Sequence, residues 1–270
     1  MTFPILSHPI EHAIFSCRPV GVHGDLHEGT GEVRAVDASN DRFVLEVPWG
    51  RGGGPLRDAL VVLWHGAGGD IDERSLVATA SALAGAGAHV ARARFAYRRL
   101  GRRAPDRMPS LLEDQRATLE AVRRLCPKPA RLILGGRSMG GRACSMLVAD
   151  GFDADGLIFL AYPLHPAGKP DQLRTAHWPS IRCPMLFVQG DRDALCHLDR
   201  LRPALQDLGD RATLELFSGA DHGMKRVEGH EISKAVLRFV QAIVDRTTGG
   251  RRGEPAPDGT RSDTVPTCES

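Results

Sequence analysis

The sequence predicts an α/β fold: a mostly parallel, twisted sheet with helices on both faces. Three observations carry that expectation. From Ala59 onward, short apolar runs alternate with longer amphipathic stretches, the pattern of repeated βαβ units. The apolar runs are close to continuous, as strands covered on both faces require. Four of them end in turns that carry histidine, serine or aspartate, which gathers the chemically useful side chains at one edge of the sheet.

Residues 1–31 are rich in histidine, glycine and proline and read as an irregular leader. Glu32–Val36 and Arg42–Val47 alternate apolar and polar residues, as an antiparallel pair with one exposed face would at a sheet edge. Gly50–Gly54 is a turn. The strands that follow are Ala59–Trp64, His89–Arg94, Arg131–Gly135, Leu157–Ala161, Met185–Gln189 and Thr213–Phe217. Helices are expected at 72–85, 111–125, 139–150, 199–208 and 228–245. The segment between Ala161 and Met185 is too short for a helical cap, so no large cap domain is expected. The site should be open, covered by the loop Tyr162–Ile181. From Thr247 to Ser270 almost no apolar residue remains, and this stretch reads as a disordered tail. Residues 32–246 are left as one domain, a size that needs no division.

Composition narrows the function class. Of 270 residues, 42% are apolar and 25% charged, an ordinary balance for a soluble enzyme. A net charge of +2 gives no reason to expect nucleic-acid or membrane binding. No apolar stretch approaches a membrane span, and the start of the chain lacks the basic-then-apolar pattern of a secretory signal. The six cysteines show no paired spacing, which fits reduced thiols in a cytoplasmic protein. His8 with His12, and His23 with Asp25 and His27, lack a third ligand at a metal-binding spacing, so neither a metal nor another cofactor is expected.

The motifs supply the chemistry. Leu132–Ile133–Leu134 leads into Gly135–Gly136–Arg137–Ser138–Met139–Gly140–Gly141, a G-x-S-x-G motif between a strand and a helix. A serine lifted clear of a sheet on such a turn needs small residues two before and two after it, so that strand and helix can close. Ser138 is therefore the candidate nucleophile. Further on, Gly190–Asp191–Arg192–Asp193 follows one apolar run and Asp221–His222–Gly223 follows another. His222 is the candidate general base. Asp193 fits the usual offset from Gly190 and is the candidate acid. Asp191 is the alternative, although that position more often turns back to stabilise its own turn. The order Ser, Asp, His along the chain is that of α/β-hydrolases. Upstream, Leu60–Trp64 leads into His65–Gly66–Ala67–Gly68–Gly69. The N–H groups of Met139 and Ala67 would together form an oxyanion hole.

Arginines cluster near this edge. Arg98, Arg99, Arg102, Arg103 and Arg107 follow the strand His89–Arg94. A guanidinium fork binds carboxylate or phosphate in bidentate fashion. Arg98 and Arg99, with His165, are thus candidate contacts for an anionic acyl substrate. The alternative is a solvated loop pairing with Asp106, Glu113 and Asp114, with His165 buttressing the site. Arg142, one turn past Ser138, is expected to make a structural ion pair, and Cys196 to be a packed thiol.

In these motifs the chain resembles the α/β-hydrolase superfamily. The stretches 98–107, 135–142 and 162–170 resemble the dienelactone-hydrolase-like group. Within it they are similar to a branch of small bacterial hydrolases akin to the hydrolase-like subunit of the animal NSL histone-acetylation complex and to a testis-expressed protein. The resemblance runs from about Ala59 to Val244 and implies the α/β-hydrolase fold and a Ser138–Asp193–His222 triad. It departs at one point: dienelactone hydrolases proper use a cysteine nucleophile, and here the position holds Ser138. It implies no particular substrate. The expected function is a serine hydrolase acting on an ester, thioester or related acyl compound, as a monomer or homodimer. Its alternatives are a serine peptidase, a C–C bond hydrolase, or an interaction protein with a vestigial triad.

Overall fold

A run of apolar residues buried on both sides can satisfy its backbone only by pairing with two neighbours, and the strands of this chain do so in one sheet. The computed structural model describes residues 35–36, 42–46, 53–126 and 129–246. The expected leader at 1–31 and tail at 247–270, with the histidine pairs of the leader, lie outside the described residues.

The strands are β1 (Ala35–Val36), β2 (Phe43–Glu46), β3 (Ala59–Trp64), β4 (His89–Ala93), β5 (Arg131–Arg137), β6 (Gly156–Leu160), β7 (Met185–Gly190) and β8 (Ala212–Phe217). They form one sheet in the order β1-β2-β4-β3-β5-β6-β7-β8. β1 and β2 run antiparallel, β2 meets β4 antiparallel, and every other pairing is parallel. The elbow strand β5 thus lies inside the sheet, between β3 and β6.

Helices α1 (Arg74–Gly85), α2 (Ala96–Arg99), α3 (Met108–Leu125), α4 (Met139–Ala149), α5 (Leu198–Gln206) and α6 (Gly229–Asp245) connect and cover the strands. The two-residue period of β3 divides the core between the faces. Leu60, Val62 and Trp64 pack with Leu119 and Val122 of α3, Ala143 and Leu147 of α4 and Leu201 of α5. Val61 and Leu63 pack with Leu76 and Leu83 of α1 and Val236 and Val240 of α6. The α/β expectation is therefore met, with helices on both faces.

Two local differences from the sequence reading have simple causes. α3 starts three residues early, at Met108, because Pro109 in its first turn is preset for helix and needs no hydrogen-bond partner. The one-turn α2 is too short to leave a periodic signal. Between β6 and β7 there is a loop with one 3₁₀ turn, Trp178–Ser180, and no cap domain.

Candidate active site

β5 ends at Arg137 and α4 begins at Met139; Ser138 between them has φ +48°. A side chain keeps this left-handed conformation only where its surroundings enforce it. Here the Ser138 N–H donates to the Leu160 carbonyl of β6 at 2.9 Å, and its own carbonyl accepts from Arg142 N at 3.0 Å. A Cβ at Gly136 or Gly140 would collide with the Trp64 carbonyl. Both glycines are thus what lets β3 and α4 close around the raised serine.

The loop after β8 brings His222 Nε2 to 2.9 Å from Ser138 Oγ. On the other side of the ring, Nδ1 lies 2.8 Å from Asp193 Oδ2. An ionised carboxylate only accepts hydrogen bonds, so the proton sits on Nδ1 and the bare Nε2 faces the serine hydroxyl. Asp193, on the turn after β7, is 2% exposed and its charge is compensated by donors. Gln189 Nε2 donates to its Oδ2 at 2.5 Å and Leu195 N to its Oδ1 at 2.7 Å. Asp191 does something else: it accepts from Gly219 N at 2.6 Å and Ser218 Oγ at 3.1 Å, tying together the turns that follow β7 and β8.

The third strand end is the loop after β3. Tyr97 Oη donates to the Ala67 carbonyl at 2.8 Å, which pins that peptide. Burial pushes the Tyr97 phenol up to about 12, so it stays a donor. The fully buried His65 bonds the Gly66 carbonyl through Nδ1 at 2.7 Å and accepts from Phe95 N through Nε2 at 3.2 Å. These two bonds fit only the neutral tautomer, and burial lowers the His65 pKa in the same sense. Among the described residues, neither the Ala67 nor the Met139 amide donates to a protein acceptor. Both N–H groups remain available to an oxygen.

Three positioning groups are invisible as motifs. Gln189 fixes Asp193 and also accepts from Tyr162 N at 2.9 Å, joining the acid turn to the end of β6. Arg137 Nη2 donates to the His222 carbonyl at 2.5 Å, and its Nε lies 3.4 Å from Glu73 Oε1. It holds the histidine loop against the N-terminus of α1. Tyr97 is the third. Only the position of Arg137 inside the pentapeptide could have hinted at such a role.

Two of the expected substrate contacts take a different place. Arg99 is paired with Asp114, Nη2 to Oδ1 at 2.8 Å, and donates to the Arg94 carbonyl at 2.7 Å. Its guanidinium is a strut of the α2 turn, the pairing with Asp114 that the sequence offered as the alternative to a substrate contact. His165 is 1% exposed, with Nδ1 3.0 Å from the Pro166 carbonyl and Nε2 accepting from His197 N at 3.4 Å. It is an internal loop support, and a buried ring so engaged has no face for substrate. Arg98 lies 3.7 Å from Asp70, just past the loop after β3. Arg102 pairs with Asp106 at 2.6 Å. Arg142, expected in an ion pair, has no carboxylate partner among the described residues. Cys196 is fully buried and burial drives its thiol pKa far up, which makes it unreactive. A cavity of about 510 Å³ between α3, α4 and the Trp178 turn is lined by Met108, Leu112, Met146 and His177, away from Ser138, Asp193 and His222.

Comparison with known proteins agrees with this architecture. A serine hydrolase homologue from Coxiella burnetii superposes with a TM-score of 0.55 at 18% identity, over 76% of this chain and 90% of that one. An a/b serine hydrolase without lid from Xanthomonas campestris gives 0.57 at 22%, over 79% and 90%. Est1E from Butyrivibrio proteoclasticus gives 0.59 at 17%, over 75% and 94%. At such identities the likeness concerns the fold. The family assignment comes from the sequence itself, since the family model "Alpha/beta hydrolase domain" matches residues 57–247, the part that holds strands β3 to β8, the elbow and the histidine loop. This chain belongs to the alpha/beta hydrolase domain family.

Proposed function

We propose that this protein is a serine hydrolase that cleaves carboxylic esters, thioesters or related acyl compounds through an acyl-enzyme. One observation carries the reading: the unbroken chain of hydrogen bonds from Ser138 Oγ through His222 to the buried Asp193. In the first step Ser138 Oγ attacks the acyl carbonyl and gives its proton to His222 Nε2. Asp193 holds the ring in the required tautomer and stabilises the imidazolium. The Met139 and Ala67 N–H groups receive the developing oxyanion, aided by the N-terminus of α4. His222 then protonates the leaving alcohol or thiol. Water then attacks the acyl carbon as His222 takes its proton; the bond from the acyl carbon to Ser138 Oγ breaks, His222 returns the proton to Ser138 Oγ and the acid leaves. Every step uses groups of this chain, and none calls for a cofactor.

The absence of a cap between β6 and β7 favours small or flexible substrates that reach an open site. Within the family, the motifs at 98–107, 135–142 and 162–170 support placement in the dienelactone-hydrolase-like group, in the branch similar to the NSL-complex subunit. With Ser138 in place of the cysteine of dienelactone hydrolases proper, the acyl-enzyme would be an oxygen ester and not a thioester. The four described cysteines are free, which favours a reducing, cytoplasmic setting.

The test is labelling with a fluorophosphonate probe. Wild type should label, and S138A and H222A should not. Ester turnover should fall at least about 1,000-fold in S138A, down to what binding and the oxyanion donors alone supply. A folded wild type that takes no label would refute the hydrolase reading and favour the alternative of an interaction protein with a vestigial triad.

A further inference from the structure

Side chains on a helix lean toward its N-terminus, so a residue one turn into α4 covers the turn that carries Ser138. That residue is Arg142. Its Nε is buried without a hydrogen-bond partner, and among the described residues no carboxylate pairs with its guanidinium. Burying part of an arginine without a counter-charge is costly, and native structures normally supply the partner.

The groups around Arg142 make the deficit larger. Arg174 lies on the loop after β6, which is anchored beside the elbow by Ser138 N bonding the Leu160 carbonyl. Its Nη1 reaches only the Pro163 carbonyl at 3.4 Å, and it too has no carboxylate partner among the described residues. Arg142 is near enough to Arg174 to lower its pKa, after the larger effect of burial. His177, on the same loop, bonds Ser145 Oγ of α4 at 2.7 Å. Ser145 in turn donates to the Arg142 carbonyl at 2.7 Å and lies 3.4 Å from Tyr162 Oη. Ser145 and Tyr162, which donates to the Arg174 carbonyl at 3.1 Å, thus tie the backbones of Arg142 and Arg174 into one polar frame, and among the described residues neither side chain has a carboxylate partner.

We propose that Arg142 and Arg174 form an anion subsite beside Ser138 that selects acyl substrates carrying a carboxylate. The proposal rests on the hydrolase reading for the words "acyl substrates", while the anion site itself rests on the unpaired arginines. A carboxylate there would accept from both guanidiniums, relieve their repulsion and leave the rest of the substrate to extend toward the raised serine. It also moves substrate recognition from the Arg98–Arg107 segment to the opposite side of the elbow.

The experiment compares 4-nitrophenyl hydrogen adipate with its methyl ester, the same molecule with the distal charge removed. Wild type should prefer the acid by about 10- to 100-fold in kcat/KM, the range expected for charge-assisted hydrogen bonds. R142Q and R174Q should bring that ratio close to one. R142K, which keeps the charge but loses the fork, should hold an intermediate ratio, and salt should shrink the wild-type preference. Circular dichroism melts identify any variant that fails to fold, and R174Q on the loop stands in if R142Q does. A wild type that labels with fluorophosphonate but treats the two esters alike overturns the subsite and leaves the hydrolase reading standing. If wild type takes no label, the hydrolase reading fails, and calorimetric titration with adipate decides the anion site alone. Binding lost in R174Q supports it, and no binding to wild type overturns it.

Discussion

The two flanks of the elbow are both rich in arginine and are built in opposite ways. On the β3–β4 side the cations are matched. Arg94 Nε meets Asp70 at 2.6 Å, and Asp114 receives Arg99 at 2.8 Å, Arg42 at 3.5 Å and the Ala96 N–H at 2.8 Å. On the side of the loop after β6, neither Arg142 nor Arg174 has a carboxylate partner among the described residues. The first flank is scaffolding that fixes the loop after β3. The second has guanidiniums without carboxylate partners among the described residues, the observation behind the proposed anion subsite. A run of arginines in a sequence therefore says little about binding until the location of the carboxylates is known.

That contrast can be broken by mutation, most forcefully on the matched side. Asp114→Ala strands Arg42, Arg99 and the Ala96 amide together, and should cost about 2 to 3 kcal/mol in urea unfolding. The counterpart on the open side, Arg174→Gln, should change stability by no more than about 0.5 kcal/mol because it removes no ion pair. Equal losses for the two would erase the distinction. A smaller effect tests the scaffold's purpose. Tyr97→Phe removes the donor to the Ala67 carbonyl and should cost about 1 kcal/mol of stability. It should also lower kcat several-fold with KM little changed, since it loosens an oxyanion donor.

The subtlest sharpening is a pH effect. Burial, then the charge of Arg142, lower the His177 pKa to about 4. Its unfolded value is near 6.5, so below that pH the unfolded chain binds a proton that the folded ring refuses. Stability should be flat above about pH 6.5 and decline as pH falls toward about 4. His177→Gln should flatten part of this slope. R142Q should raise the His177 pKa seen by NMR and narrow the window, and an unmoved His177 would mean that Arg142 points elsewhere.

How much of this could be read in advance depends on the range of the interaction. Ser138 was legible because its requirements are local: a strand, a turn with small neighbours, a helix. His222 and the two aspartates were legible because each lies just past an apolar run, and strand ends share an edge in a parallel sheet. The parallel sheet with helices on both faces followed from the same periodicity, and the lack of a cap from the short segment between β6 and β7, whereas the order of the strands came from the structure. The sequence left Arg99 and His165 open between substrate contact and structural support; that Arg99 meets Asp114 and His165 meets His197 depends on how distant segments pack. Gln189 and Tyr97 went unnoticed for the same reason.

The sequence by itself determined the α/β architecture, the position of the elbow and the set of residues able to carry acyl chemistry. These depend on steric rules and on a hydrophobic period that act over a few neighbouring residues. Only the tertiary structure decided that Asp193 and not Asp191 lies against His222, and that Arg142 stands unpaired. The first rests on contacts between groups 29 and 84 residues apart in the chain, and the second on which carboxylates the packed chain leaves out of reach of Arg142. Which donor meets which acceptor at that range is set by where the packed sheet brings each loop, and no local rule contains it.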